Sequence, residues 1–221
     1  MTLRVVLAAA IALGATVAPA PAAVLFSNLG PGDSYVQNMS WVLVSNNGVF
    51  SGATQLAQSF VAPADASLDS VRAAVMYFGS TADQTYTFAF AADNGSGAPG
   101  AMLESYTAPS VTTGASSFRT ILEFSSALNI QIEQGETYWV VMTGFTNTTS
   151  SVRTGRWALN DQGAAGISYF NGAWNAIGNP SAAFQVNGTL NETPVTTPEP
   201  ASALLLLGAL AGLGLRARRS A

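Results

Sequence analysis

The stretch "TYTFAF", residues 85–90, alternates aromatic side chains with threonine or alanine. Successive side chains of a β-strand point to opposite faces of a sheet, so this period of two predicts a strand with one buried face. Tyr86, Phe88 and Phe90 would lie on the buried face. We therefore expect this stretch to contribute aromatic rings to the core of a sheet protein.

The same period recurs in both directions along the chain. Phe118, Thr120, Leu122 and Phe124 alternate with Arg119, Ile121 and Glu123. Further strands are predicted at 56–61, 70–78, 137–143, 156–160 and 183–190. No comparable stretch carries apolar residues at i, i+3, i+4 and i+7 over three turns. The fold class expected is all-β, a single antiparallel β-sandwich or jelly-roll-like domain over residues 24–190.

Asn-Gly pairs punctuate the predicted strands, because both residue types tolerate the positive φ of tight turns. Asn171-Gly172 is the clearest case, since a two-residue type I′ turn there would pair Phe170 with Ala173 and Tyr169 with Trp174. A second turn is expected at Pro99-Gly100, which suits the central positions of a type II turn. The strand order cannot be derived from these signals.

Each end of the chain carries an apolar segment. At the start, Arg4 precedes an apolar run that gives way to small residues and prolines, the pattern of a secretory signal peptide over residues 1–23. Signal peptidase would cleave after Ala22 or Ala23. The alternative is a buried first helix, which is disfavoured because no polar face appears at helical spacing.

At the other end, a Pro/Thr-rich linker over residues 191–197 leads to an apolar run. A helix over residues 201–215 would span roughly 22 Å, which is marginal for a bilayer core of about 30 Å. Arg216, Arg218 and Arg219 follow and would stay in the cytoplasm, so the domain would lie beyond the inner membrane. Hydropathy leaves open whether this tail is a permanent anchor or a processed sorting signal.

Three parts of residues 198–221 resemble the PEP-CTERM sorting segment, namely Pro198-Glu199-Pro200, the leucine-rich run and the closing Arg216-Ala217-Arg218-Arg219. The resemblance implies recognition by exosortase, a membrane protease and transpeptidase of Gram-negative bacteria that make exopolysaccharide. It also implies cleavage near residues 198–200 and transfer of the domain to the cell surface or its release outside the cell.

A second resemblance concerns the body of the chain. "AQSF" (57–60), "LDSV" (68–71), "DNGSGAPGAML" (93–103) and "GETYWVV" (135–141) resemble the choice-of-anchor R domain, which occurs beside several surface-sorting tails. The activity of that family is not established. The resemblance therefore implies a location more than a chemistry.

Composition excludes several functions. The chain has no histidine or cysteine, so imidazole bases, thiolate nucleophiles, disulfides and ordinary zinc sites are excluded. All eight cations are arginines, and residues 24–200 carry four of them against all twelve carboxylates, a formal charge of −8. Nucleic-acid binding is disfavoured because it needs cations. No cofactor is expected.

Three groups of side chains are candidates for chemistry or binding. Glu123, Glu133 and Glu136 are available for carboxylate-dependent glycoside hydrolysis, although solvated surface carboxylates explain them as well. Asp93 is a weak calcium candidate, and an Asx-type turn is the favoured explanation of its loop. Trp157, Tyr169 and Trp174 would form a stacking platform for sugar rings, with core packing as the alternative.

The sequence thus predicts an exported, non-catalytic surface or matrix protein of an exopolysaccharide layer or biofilm. A carbohydrate-binding module at the same place is the alternative, and a glycosidase is the third hypothesis.

Overall fold

The computed structural model describes residues 22–44, 54–77, 83–112, 117–147 and 154–191. These residues form strands throughout, joined by turns and short loops. The strands, in chain order, are β1 (Ala22–Ser27), β2 (Ser40–Val44), β3 (Gln55–Val61), β4 (Ala66–Tyr77), β5 (Gln84–Asp93), β6 (Pro99–Thr107), β7 (Phe118–Ser125), β8 (Gln131–Ile132), β9 (Thr137–Asn147), β10 (Thr154–Ala158), β11 (Ala165–Phe170), β12 (Trp174–Pro180) and β13 (Phe184–Leu190).

Two antiparallel sheets make up the described part of the chain. One has the order β1-β13-β4-β10-β2, with β7 and β8 pairing with the other edge of β4. The second has the order β12-β11-β3-β9-β5-β6. The predicted all-β antiparallel fold is confirmed. Among the residues described, no helix has the length and the apolar character that crossing a membrane requires.

The main core contains the inward-facing side chains of both sheets. Tyr86, Phe88 and Phe90 are fully buried, as their alternation in β5 predicts. The ring of Phe88 meets that of Trp157 edge to face at 5.2 Å, and Phe90 stacks on Tyr138 at 5.4 Å. These contacts join β5 to strands of both sheets, because Trp157 lies in β10 and Tyr138 in β9.

A smaller core covers the opposite face of the seven-stranded sheet. Leu29 and Tyr35, from the segment between β1 and β2, pack with Ala74, Ala158 and Ala183 there. An ion pair of 2.5 Å between Arg72 and Asp33 holds the same segment to the sheet. The hydrogen bond from Arg72 lowers the pKa of Asp33. This face of the sheet therefore lies partly beneath a chain segment, which leaves a groove beside it.

Most predicted strands coincide with observed ones, and the differences lie at their ends. The segment predicted at 70–78 begins earlier, at Ala66, and the one predicted at 137–143 continues to Asn147. The segment predicted at 156–160 is β10, which ends at Ala158. In β13, Phe184 and Val186 are buried and Gln185 is partly exposed, as its alternation predicts.

The predicted hairpin turn at Asn171-Gly172 is wrong by one residue. Phe170 pairs with Trp174 and Tyr169 with Asn175, so the loop has three residues. A type I′ turn needs positive φ at both central residues, but only Gly172 has it, at 81°. The added residue shifts every partner and separates Tyr169 from Trp174, because neighbouring positions alternate between faces.

The predicted type II turn at Pro99-Gly100 is also wrong. Pro99 begins β6 and pairs with Asp93, so the chain reverses over residues 94–98. Gly95 and Gly97 supply the positive φ values of that loop, 79° and 73°.

A compact unit ends at Leu190, and a second unit runs from Asn191 to Ala221. Residues 1–21 and 192–221 lie outside the described residues, so the structure says nothing of the signal peptide before Ala22, the sorting residues or the helix expected at 201–215. Ala22 and Ala23, where cleavage is expected, are the first residues of β1 and pair with Thr189 and Gly188.

Candidate functional site

A groove of about 430 Å³ lies on the outer face of the six-stranded sheet. β3 contributes Ser59 to it, and β9 contributes Thr137 and Trp139. Ser59 pairs directly with Trp139, so the hydroxyl and the indole stand side by side on one face. The remaining lining comes from two places: Asp93 with Gly95 and Gly97, and the β11–β12 hairpin with Gly166, Ile167, Ser168, Ala176 and Ile177.

Asp93 organises the loop that borders this groove. Its Oδ1 accepts hydrogen bonds from the backbone N–H groups of Gly95, at 2.6 Å, and Gly97, at 3.4 Å. The predicted Asx-type turn is thereby confirmed. Asn94 repeats the arrangement, because its Oδ1 accepts from the N–H groups of Ser96 and Ala98. Two successive Asx turns fix the conformation of a loop rich in glycine.

The other oxygen of Asp93 connects the loop to the sheet. Its Oδ2 accepts a hydrogen bond of 2.8 Å from Nε1 of Trp139. Trp139 is only 4% exposed although it lies on the outer face of the sheet. Its indole packs in a small cluster with Ala57, Ala91 and Val141, against which Trp174 also lies. The carboxylate thus holds three protein donors and positions one edge of the groove.

These contacts also bear on the calcium hypothesis. A tight calcium site collects six to eight oxygen ligands, several of them carboxylates. Asp93 is the one carboxylate among the residues that line the groove, and both of its oxygens accept hydrogen bonds from the protein. Within the described ranges, no three metal-ligating side chains are grouped so that they could hold an ion.

The structure does not bring the predicted platform of Trp157, Tyr169 and Trp174 together. Trp157 is fully buried between the sheets, and its Nε1 donates to the carbonyl oxygen of Ala183 at 2.9 Å. Tyr169 packs against the main core, whereas Trp174 packs against the cluster on the outer face. Trp157 and Tyr169 therefore do not form a platform with Trp174, and a binding role for Tyr169 or Trp174 stays a prediction. Tyr169 is separated from Trp174 because the hairpin register differs by one residue from the predicted one.

A different aromatic pair occupies the outer face near the hairpin turn. The rings of Phe170 and Trp174 meet at 5.3 Å in an edge-to-face arrangement, and both side chains are partly exposed. Phe170 lies two residues after Ser168 on β11, and Trp174 lies two residues before Ala176 on β12. Both therefore lie next to the groove on the same face of the sheet. Trp174 is thus the one member of the predicted platform that remains near a candidate site.

The three candidate carboxylates do not gather in the groove. Glu123 is exposed on the seven-stranded sheet, where it lies 3.9 Å from Nε of Arg72 and accepts from the hydroxyl of Ser70. Glu133 and Glu136 flank an exposed turn in which the N–H of Glu136 donates to the carbonyl of Glu133. Their positions match those of solvated surface carboxylates.

Sequence reasoning missed one buried carboxylate, Glu104. Desolvation alone would raise its pKa, but hydrogen bonds from the N–H of Ala127, the hydroxyls of Ser126 and Tyr106, and the N–H of Leu128 outweigh it and lower the pKa. The first three are 2.7, 2.7 and 2.9 Å long. Glu104 anchors the turn after β7. The only sequence signal is its place among the inward positions of β6, where a charge needs partners.

The similarity to a known protein family lies in the C-terminal segment, beyond the described domain. The PEP-CTERM protein-sorting motif matches residues 196–219. The chain carries a PEP-CTERM sorting motif. Pro198, Glu199, Pro200, Arg216, Arg218 and Arg219 all fall inside the match. No curated protein and no solved structure matches the chain.

The PEP-CTERM motif supports three statements about the protein. It is an exported protein, it is sorted and processed by exosortase, and it is anchored in the membrane before that processing. The resemblance of the body to the choice-of-anchor R domain is not confirmed by any comparison.

Proposed function

We propose that this PEP-CTERM protein is a non-catalytic surface or matrix protein of an exopolysaccharide layer, and that it adheres to polysaccharide through the groove beside Trp139. The signal peptide exports the chain, the tail holds it at the inner membrane, and exosortase then transfers or releases the sandwich domain. The domain alone remains at the cell surface or in the surrounding matrix.

The observation that carries the adhesive role is the composition of the groove. Ser59, Thr137 and Ser168 line it together with Trp139 and three glycines. Ser59 is exposed and Thr137 is partly exposed, whereas Ser168 and Trp139 are 3% and 4% exposed. Sugars are bound by side chains that hydrogen-bond their hydroxyls and by aromatic surfaces that contact their apolar faces. A carbohydrate-binding module is the form of the proposal that this groove favours, with the Phe170–Trp174 pair extending the surface.

The arrangement of carboxylates supports a role without catalysis. Glycoside hydrolysis needs two carboxyl groups that face each other across the substrate. The groove contains Asp93, whose oxygens are already held by Gly95, Gly97 and Trp139, and no second carboxylate from the described residues lines it. We therefore rank a glycosidase below a binding protein.

The sorting part of the proposal is tested by the mass of the protein recovered from its native host. Cleavage by signal peptidase and exosortase predicts a chain that begins at Ala23 or Val24 and ends near residues 198–200. A chain that ends at Ala221 would show instead that the tail is a permanent anchor.

The adhesive part is tested on a glycan array with the protein recovered from the host. Ser59→Trp should fill the groove without entering the core, because Ser59 is exposed, and binding should fall roughly tenfold or more. Ser105→Trp is the matched control, since Ser105 is exposed on β6 of the same sheet and does not line the groove. Trp174→Ala should weaken binding as well.

Two results would contradict the adhesive role. Silence of the folded wild-type protein across all glycans would leave a purely structural role. Equal binding by the Ser59→Trp and Ser105→Trp variants would place recognition elsewhere on the molecule.

A further inference from the structure

A second groove lies on the outer face of the other sheet and contains two of the four arginines between the terminal segments. Arg119 and Arg156 both line it, together with Asn38, Ser40 and Met76, and its volume is about 170 Å³. The domain over residues 24–190 has four arginines against ten carboxylates, a formal charge of −6. Two arginines in one small groove are therefore a local concentration of positive charge on a negative domain.

Strand register explains why the two arginines meet. Arg119 in β7 pairs with Met76 in β4, and Trp157 in β10 pairs with Val75 on the other side of β4. Trp157 points into the main core, so its neighbour Arg156 points outward beside Met76. The two arginine backbones are therefore about 10 Å apart, with one methionine between them, since each strand spacing is about 4.8 Å.

Hydrogen-bonding groups complete the groove. Nη1 of Arg156 donates to the hydroxyl of Ser40 at 3.4 Å, and Asn38 also lines the groove. Arg72, further along the same face, is occupied by Asp33 and Glu123. Within the described part of the chain, no carboxylate lies within ion-pair distance of Arg119.

We infer that this groove binds a carboxylate, and that in the matrix it holds the carboxylate of an acidic sugar residue. Guanidinium groups recognise planar carboxylates through paired N–H donors. A singly charged carboxylate is also repelled less by the net negative domain than a doubly charged phosphate would be. The acidic-sugar part of this inference rests on the proposed adhesive function, whereas the anion site itself stands on the groove.

The test compares four probes with the protein recovered from its host: a uronic acid oligomer, the same oligomer as its methyl ester, acetate and inorganic phosphate. The acid oligomer should bind roughly tenfold more tightly than its ester, because esterification removes the charge-assisted hydrogen bonds. Arg119→Gln should abolish this preference, and Arg119→Lys should restore part of it. Acetate should compete with the acid oligomer more effectively than phosphate does.

Thr107→Glu is the control for net charge, because it changes the charge by the same amount as Arg119→Gln at an exposed site on the other sheet. It should keep the preference for the acid, as should Ser59→Trp, which blocks only the first groove. Equal binding of acid and ester would overturn the inference and leave the adhesive function standing. Binding of neither oligomer would also overturn the inference, whereas the adhesive function falls only if the glycan array is silent for every glycan. Stronger competition by phosphate would overturn the assignment to carboxylate.

Discussion

At the scale of single residues, Asp93 combines two structural tasks at the candidate site. One oxygen closes the Asx turn, and the other holds the indole of Trp139. Both partners lie at the groove, so a substitution at this position acts on stability and on binding together.

Asp93→Ala should lower the free energy of unfolding by about 2 kcal/mol, because hydrogen bonds to a charged group are worth about 1.5–3 kcal/mol. It should also shift the fluorescence of Trp139. The free energy of unfolding of Asp93→Asn should lie between those of the wild type and Asp93→Ala, since the amide oxygen of asparagine can still close the turn. Urea denaturation followed by tryptophan fluorescence measures both effects.

The same residue allows a test of calcium binding. Because the carboxylate already accepts three N–H donors, addition of calcium or of a chelator should leave the melting temperature of the wild type unchanged. A calcium-dependent rise in the melting temperature that Asp93→Asn removes would support a calcium site at Asp93 instead.

At the scale of strands, the sequence predicts those strands in which apolar and polar side chains alternate clearly, and it misses strands without that alternation. β5 and β13 were predictable because a single buried face repeats along them. β1 and β2 are short segments at sheet edges, so their pattern covers too few residues to stand out. β6 was not predicted because buried Glu104 occupies an inward position, where the alternation of a strand requires an apolar residue.

The candidate site was only partly predictable for the same reason. The Asx turn could be expected from Asp93 and its following glycines, which are local in the sequence. The groove, in contrast, joins β3, β9 and β11, whose order in the sheet is set by long-range pairing. The outward position of Trp139 in "GETYWVV" was the available signal. The arginine groove likewise depends on β7 and β10 both flanking β4.

Glycines within strands offer a test of packing between elements. A methyl group at Gly188 of β13 would come within 2.7 Å of both the Cδ1 atom of Leu25 and the carbonyl oxygen of Ser67. These atoms belong to β1 and β4, the two strands that flank β13. Gly188→Ala should therefore destabilise the domain by roughly 1–3 kcal/mol, the usual cost of overpacking.

The control is Gly178→Ala in β12. A methyl group there would meet nothing within 4 Å. Because alanine fixes the backbone with less loss of entropy than glycine, this variant should be neutral or slightly stabilising. Chemical denaturation of both variants decides the matter, and equal effects would show that β13 is not as closely packed as described.

At the scale of the whole molecule, the composition fixes how stability depends on pH. The chain has no histidine, cysteine or lysine, so between about pH 6 and pH 9 the amino terminus is the one group expected to titrate. The free energy of unfolding should be nearly constant over that range. A marked slope near neutral pH would contradict this account.

The acid limit comes from carboxylates with lowered pKa values, which include Glu104, Asp33 and Asp161. Below the ordinary glutamate value of 4.5, the unfolded chain takes up protons before Glu104 does in the folded domain. Stability is therefore present above that pH and falls as the pH decreases. Glu104→Gln should be less stable at pH 7 and lose less on acidification, whereas exposed Glu136→Gln should follow the wild type.

The alkaline limit comes from buried tyrosines. Burial raises the pKa of Tyr77, Tyr86 and Tyr106 above the ordinary value of 10.0, so the unfolded chain releases protons first and stability falls as the pH rises beyond that value.

Tyr77 offers a test of burial without a hydrogen bond. Its hydroxyl is buried and has no hydrogen-bond partner in the described part of the chain. Tyr77→Phe should raise the free energy of unfolding at pH 7 by about 1 kcal/mol, since it removes an unsatisfied polar group. It should also make the alkaline decline less steep, as denaturation curves between pH 7 and 11 would measure; a loss of stability at pH 7 would reveal a partner for this hydroxyl.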